Sequence, residues 1–416
     1  MLIKRVEEVL FFLTILFLPT QLGRHFWPQF SFVYSLPIDY LSPVLYFWDI
    51  LMLVLWVVFL ISGKHINRLA LIFFYFFILT QALSLAFNPP SVGVGLIRLE
   101  QYTIAGLFGV YIASLKKGEI GKIYLPLTLA IFGEAFLAIL QFLKGGSVGL
   151  WILGERTFSL STPAIAKFDF YGREFLRPYS TFSHPNVLAG FMVSTILLLS
   201  FLRKQESIQI KDRSQIKFGM TRVVIYLSSI TIILTVSRTA IFAGLTSAFI
   251  LLKNKNRILL FLLVIILSPI LLTRFSSLVN FDNLTLLRRE ELSKTALNLW
   301  TSHPLFGVGL NNFIPTAADA ILAGPSRFLQ PVHNIFLLSL SETGIIGLMG
   351  LISLIGYPLY KKKLLIVWAS IIFLGLFDHY FLTLPQGYRL LFLVWGISLS
   401  SLREVSMLEW KSAKSG

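Results

Sequence analysis

The stretch HNIFLLSLSETGIIG, His333 to Gly347, has the composition of a helix buried in lipid except at its opening His-Asn pair and at Ser341-Glu342. An ionisable side chain inside a bilayer costs roughly 2.5–3.5 kcal/mol at a helix centre, so each one there asks for a partner or a function. Glu342 follows His333 by nine residues, about half a turn round a helix at about 100° per residue, so the two side chains point to different sides. Glu342 is expected to bond a polar group on an adjacent helix, with Gly344 and Gly347 permitting close approach. His333, with Asn334 beside it, is expected at the aqueous mouth of the span.

The rest of the chain supports a membrane setting. Of its 416 residues 56% are hydrophobic and only 13% charged, about half the charged fraction of a soluble domain. Apolar runs predict twelve spans, at 6–22, 41–62, 69–86, 98–115, 122–143, 184–202, 222–236, 238–252, 258–273, 333–357, 364–383 and 387–402. The fold class is therefore an all-α polytopic membrane protein. No cysteine is present, which excludes disulfides, zinc-thiolate sites and a thiol nucleophile.

The net charge of +16 would suggest nucleic-acid binding in a soluble protein. Here the segments MLIKR, GKHINR, KKGEIGK, RKQESIQIKDRSQIKFGMTR, KNKNR, KKK and REVSMLEWKSAK fall on one side and hold 22 of the 36 basic residues. That is an orientation signal, not a nucleic-acid patch: both termini are expected in the cytoplasm. The first apolar run lacks a small-residue cleavage site and is read as a retained span. Two long segments, 144–183 and 274–332, are expected outside; loops of such length are usually functional or disordered.

The polar residues of interest cluster on that external side. In RPYSTFSHPN, Ser183 or His184 can cap a helix that starts at Pro185, and Asn186 in its first turn can face the loop. Arg177 either anchors to lipid headgroups or binds an anion. In TVSRTA, Arg238 sits in a tight turn between two apolar runs, either snorkelling to headgroups or turned toward a phosphate. From about Leu286 to Trp300 a helix is predicted with Leu292, Ala296 and Leu299 on one stripe, Glu290 and Lys294 paired, and Arg288 in its first turn. Several Arg residues and a His on one side suit a diphosphate, because the guanidinium fork donates two bonds and each charge-assisted bond contributes about 1.5–3 kcal/mol. No carboxylate cluster for a hard cation is evident there.

RPYSTFSHPN, TVSRTA, RREELSKTALNLWTSHPLFGVGLNNF and HNIFLLSLSETGIIGL, taken in order over residues 177–350, resemble the motifs of the O-antigen ligase and O-antigen polymerase superfamily, which includes bacterial O-oligosaccharyltransferases. The resemblance implies a GT-C-type glycosyltransferase of the bacterial inner membrane, with a long external loop carrying helices and an active site on the periplasmic side. It implies a glycan on undecaprenyl diphosphate as donor, a lipid A-core or other cell-surface acceptor, an inverting displacement, and neither metal nor cofactor. The family's activity residues match Arg238, Arg288 and His333, with Arg289 an equal match for the second; Arg177, His184, Asn186 and Asn334 are candidates for substrate binding. A polymerase would extend a second lipid-linked repeat instead. A lipid-linked glycan flippase is the alternative from another class, kept open by Asp49, Glu100, Glu134 and Asp378.

Overall fold

The computed structural model describes residues 2–87, 89–207, 214–252, 256–258, 264–265, 284–318 and 329–400. The expected span 258–273 and parts of the 274–332 segment fall largely outside the described residues. The chain is mostly helical: α1 Leu2–Leu16, α2 Phe47–Ile61, α3 Arg68–Leu83, α4 Val92–Ser114, α5 Lys117–Ile120, α6 Tyr124–Lys144, α7 Pro185–Ser207, α8 Ser214–Leu234, α9 Arg238–Leu251 and α10 Leu284–Ser302. There follow α11 Phe313–Ala317, α12 Ile335–Tyr360, α13 Leu365–Phe377, α14 Tyr380–Thr383 and α15 Pro385–Leu399. Among the described residues, Arg68–Ala86, Gly118–Lys144, Pro185–Arg203 and Ile335–Tyr360 are long and apolar enough to cross a membrane, and four shorter apolar helices accompany them.

Several expected boundaries shift for local reasons. The first helix stops at Leu16 rather than 22, ahead of Pro19, and α2 begins at Phe47 rather than 41, after Pro43 and a short strand. Proline removes a backbone donor and restricts the residue before it, so both helices end where the ladder can no longer continue. Residues between α1 and α2 therefore form a folded connector with two antiparallel ribbons. One pairs β1 Gly23–His25 with β4 Val44–Tyr46, and the other pairs β2 Phe32–Val33 with β3 Leu36–Pro37. The span expected to reach 383 instead ends at Phe377, where Asp378 takes an extended conformation. Between α6 and α7 the 144–183 segment carries a hairpin of β5 Lys167–Phe170 and β6 Arg173–Leu176.

This 144–183 segment is organised by one carboxylate. Glu155, buried, accepts from the amides of Val148, Gly149 and Leu150 at 2.6, 2.8 and 2.5 Å and from Gln141 at 2.8 Å. Burial alone would raise its pKa, but these donors outweigh it and hold the carboxyl below its usual range.

Within the bundle, close helix approach depends on small residues. A Cβ on Gly396 of α15 would run into the Gly109 carbonyl of α4, so this pair lets two backbones touch with the fully buried Trp395 beside them. The helix α12 is broken at Gly344, whose φ is +64°. Into that break docks the Pro304–Gly309 turn: Val308 and Gly309 donate to the carbonyls of Ser341 and Glu342 at 3.0 and 2.8 Å. Ile345 and Ile346 return bonds to Pro304 and Leu305 at 2.9 and 3.2 Å. Glu342 accepts from the Phe313 amide at 3.3 Å. Its partner is thus the amide that opens the short helix α11 at the end of the HPLFGVGLNNF segment, and Gly344 serves that loop's approach.

Connectors segregate by chemistry. At one end of the bundle Lys64 lies 2.8 Å from Glu7 and 3.6 Å from Glu119, with Lys122 2.9 Å from Glu8. At the other end the connectors before α2, α7, α12, α14 and α15, with residues of α4, α9 and α10, line a cavity.

Candidate functional site

The cavity measures about 660 Å³, and Arg177, His184, Asn186, Arg238, Arg289, His333, Asp378 and His379 are among its lining. That is large enough for a diphosphate with a flanking sugar and within the range of small-molecule sites.

Each cation arrives from a different element. Arg177 follows β6 and is 5% exposed; its Nε donates to the Thr235 carbonyl at 2.6 Å and its Nη2 to Asn186 Oδ1 at 2.6 Å. Asn186 therefore fixes Arg177, and the Asn186 amide in turn donates to His184 Nδ1 at 3.1 Å. Burial, reinforced by the charge on Arg177, pushes the His184 imidazole down to about 3, so it is neutral. Arg238 opens α9 after its N-cap Ser237, and Val236 just before the cap is held at φ 48°; that tight turn places the first residue of the helix at the cavity.

The Arg288/Arg289 pair separates clearly. Adjacent helical residues diverge by about 100°, and it is Arg289 that lines the cavity, donating to the Phe377 carbonyl at 3.3 Å. Arg288 is not among the lining residues. The buried Leu292 and Ala296 seat α10 and set this rotation, and Lys294 pairs with Glu290 at 2.6 Å on the exposed face. Asn334 also departs from expectation. Its Oδ1 caps α12 by accepting from the amides of Phe336 and Leu337 at 2.9 and 3.0 Å, while its Nδ2 donates to the Leu376 carbonyl at 3.2 Å. Its polar atoms are used in the fold and do not line the cavity.

His333 precedes this cap, and its Nδ1 lies 3.5 Å from Asp378 Oδ1, an ion-pair distance at the limit of hydrogen bonding. Asp378 sits in the connector beyond α13. Burial would raise its pKa, but contact with His333 and the charge of Arg289 hold it well below the usual carboxylate range. The neighbouring imidazole of His379, its ring centre 5.1 Å from that of His333, is pushed down to about 3, chiefly by burial and against the pull of Asp378.

Sequence reasoning gave Asp378 only to the transporter alternative and missed His379, Arg98, Tyr40 and Gln101 altogether. Arg98, 4% exposed, donates to the Thr383 carbonyl, Gln101 Oε1, Asn311 Oδ1 and the Tyr40 carbonyl at 2.8, 2.9, 3.2 and 3.4 Å, tying four segments around the cavity floor. The available signal was an Asp-His pair interrupting the apolar run between 365 and 399, the same kind of interruption that marks His333.

Residues 223–352 match the family model Wzy_C, described as O-antigen ligase. The matched segment contains Arg238, Arg289 and His333 and the loop docked in the α12 break. The match covers 130 of the 416 residues, so this segment is similar to that family. None of the curated proteins gives a significant match to the chain.

Proposed function

We propose that the protein is an O-antigen ligase-like glycosyltransferase. It moves a glycan from undecaprenyl diphosphate to a hydroxyl of a lipid A-core or other cell-surface acceptor. The observation that carries this reading is that Arg177, Arg238 and Arg289, from three separate elements, share one cavity with the His333–Asp378 pair. Twelve spans in a GT-C-type arrangement, cytoplasmic termini and a periplasmic cavity complete the picture. The segregation of Lys-rich connectors to the opposite end supports that orientation.

The chemistry follows from the geometry. Guanidinium groups of Arg238 and Arg289 hold the diphosphate and stabilise the charge that develops as the anomeric C–O bond breaks. Arg177, fixed by Asn186, grips the same anion. With Nδ1 of His333 turned to Asp378, Nε2 is left for the acceptor hydroxyl. It takes the proton as the oxygen attacks the anomeric carbon from the face opposite the leaving group, and Asp378 stabilises the imidazolium formed. The configuration at that carbon inverts.

Purified protein given an undecaprenyl-diphosphate glycan and an acceptor should form a new glycosidic bond, and Arg238→Ala combined with His333→Ala should abolish it. Undiminished turnover in that double variant rules out the assignment, and a flippase would form no bond at all. Supplying either a lipid A-core sugar or a second lipid-linked repeat as acceptor separates ligase from polymerase.

A further inference from the structure

One imidazole in the cavity has no role in that mechanism. His379 Nδ1 lies 2.7 Å from Thr383 Oγ1, and that hydroxyl also lies 3.2 Å from the His379 carbonyl. A hydroxyl has a single proton. Where it is donated to the carbonyl, the oxygen accepts from Nδ1–H and the lone pair of His379 lies on Nε2. That lone pair faces Asp378 Oδ1 at 4.0 Å, and His333 Nδ1, buried and without a hydrogen-bond partner, is 3.5 Å from the same oxygen. Three donor atoms, one on each residue, lie within 4.8 Å of one another. The same Asp378 oxygen accepts from the His379 backbone amide at 2.8 Å, and a cation placed among the three donors would engage its remaining lone pair together with both ring nitrogens.

We propose that His333, Asp378 and His379 form a two-histidine, one-carboxylate site for a borderline transition-metal ion, Zn2+ above all, and that its occupation inhibits transfer. Bonds of about 2.0–2.2 Å to nitrogen and oxygen in a tetrahedron set the donors about 3.3–3.5 Å apart, so the trio closes on an ion with small side-chain shifts. Two imidazoles and one carboxylate suit zinc; magnesium and calcium require more oxygen ligands. Thr383 supplies the outer hydrogen bond that fixes a metal-binding imidazole. The fourth position opens to the cavity. An ion held between Nδ1 and Oδ1 takes Asp378 away from His333, so the inhibition rests on the proposed transferase reading, whereas binding does not.

Calorimetric titration of Zn2+ into the chelator-stripped, detergent-purified chain, with Co2+ as a visible-absorption probe, tests the site. Wild type should bind one ion. His379→Gln and Asp378→Asn should abolish binding, and Thr383→Val should weaken it about 10–100-fold. Zn2+ should depress wild-type transfer, with recovery on adding chelator. Failure to bind one ion, or unchanged affinity in His379→Gln, overturns the proposal. Should that variant not purify monodisperse, Thr383→Val decides, and unchanged affinity there also overturns it. One bound ion with no transferase activity in wild type would sink the function and leave the site standing.

Discussion

Two consecutive arginines give the sharpest test of the cavity. Arg289 lines it and reaches the Phe377 carbonyl, whereas Arg288 is not part of the lining. A charge-assisted bond from guanidinium to a phosphate oxygen contributes about 1.5–3 kcal/mol, and each 1.36 kcal/mol of transition-state stabilisation is tenfold in rate. Arg289→Ala should therefore lower kcat/KM for the lipid-linked donor by about tenfold to somewhat over a hundredfold. Arg288→Ala removes a side chain that does not line the cavity, so it should lower kcat/KM for the donor less than Arg289→Ala does. Arg289→Lys keeps the charge but loses the two-pronged donor, and should fall between wild type and the alanine variant. The assay is initial-rate transfer from an undecaprenyl-diphosphate glycan by purified protein, with each variant checked for a monodisperse elution profile. A larger loss in Arg288→Ala than in Arg289→Ala would refute the placement of α10 and, with it, the assignment of the leaving-group clamp.

Asp378→Asn removes the charge that stabilises an imidazolium at His333; general acid–base catalysis contributes about 10²–10⁴-fold, so kcat should drop at least tenfold while the KM for donor changes little. An unchanged kcat would separate Asp378 from the chemistry. Gly344→Ala forces a side chain onto a φ of +64° and into the Leu305 carbonyl. Strain on the order of 1–3 kcal/mol should lower the melting temperature in detergent, and an unaltered melting curve would contradict the docked loop. Glu155 has a folded-state pKa below its unfolded value, so its contribution is present above the unfolded value and lost as pH falls through the folded one. Proteolytic nicking of the 144–183 segment should therefore rise on acidification in wild type and be high and less pH-dependent in Glu155→Gln; equal protection in both at neutral pH would dismiss the clamp.

Much of this arrangement was legible because lipid leaves few excuses for polarity. Arg238 and His333 interrupt apolar runs at their ends, and the order of the surrounding motifs located the cation-rich end of the bundle. The choice between Arg288 and Arg289 was not legible. Both are polar, both lie in the first turns of α10, and only the seating of Leu292 and Ala296 on the bundle fixes which one turns inward. Asn334 was misread for a related reason: an Asn before an apolar helix serves equally as a cap or as a ligand, and its two amide bonds assign it to the cap. The partner of Glu342 escaped because the sequence shows a continuous helix through Gly344, while the structure inserts a loop there.

The connector between α1 and α2 shows where span counting fails in physical terms. Hydropathy spreads residues 6–22 and 41–62 across Pro19 and Pro43 because the intervening residues are apolar enough to extend both runs. The backbone ends each helix early instead, and the freed chain supplies Gln21, His25, Asp39 and Tyr40 to the cavity wall. Arg156 of the 144–183 segment meets Asp39 at 3.3 Å across that wall, joining two segments that lie far apart in the chain and outside the Wzy_C match. Of the cations proposed to hold the diphosphate, Arg238 and Arg289 lie in the matched segment and Arg177 does not, while the space in front of them is shaped largely by residues beyond it. Acceptor choice, if it is set by the walls and not by the cations, should follow that connector: transplanting residues 21–42 between related chains would change which sugar is accepted before it changes the rate of donor cleavage.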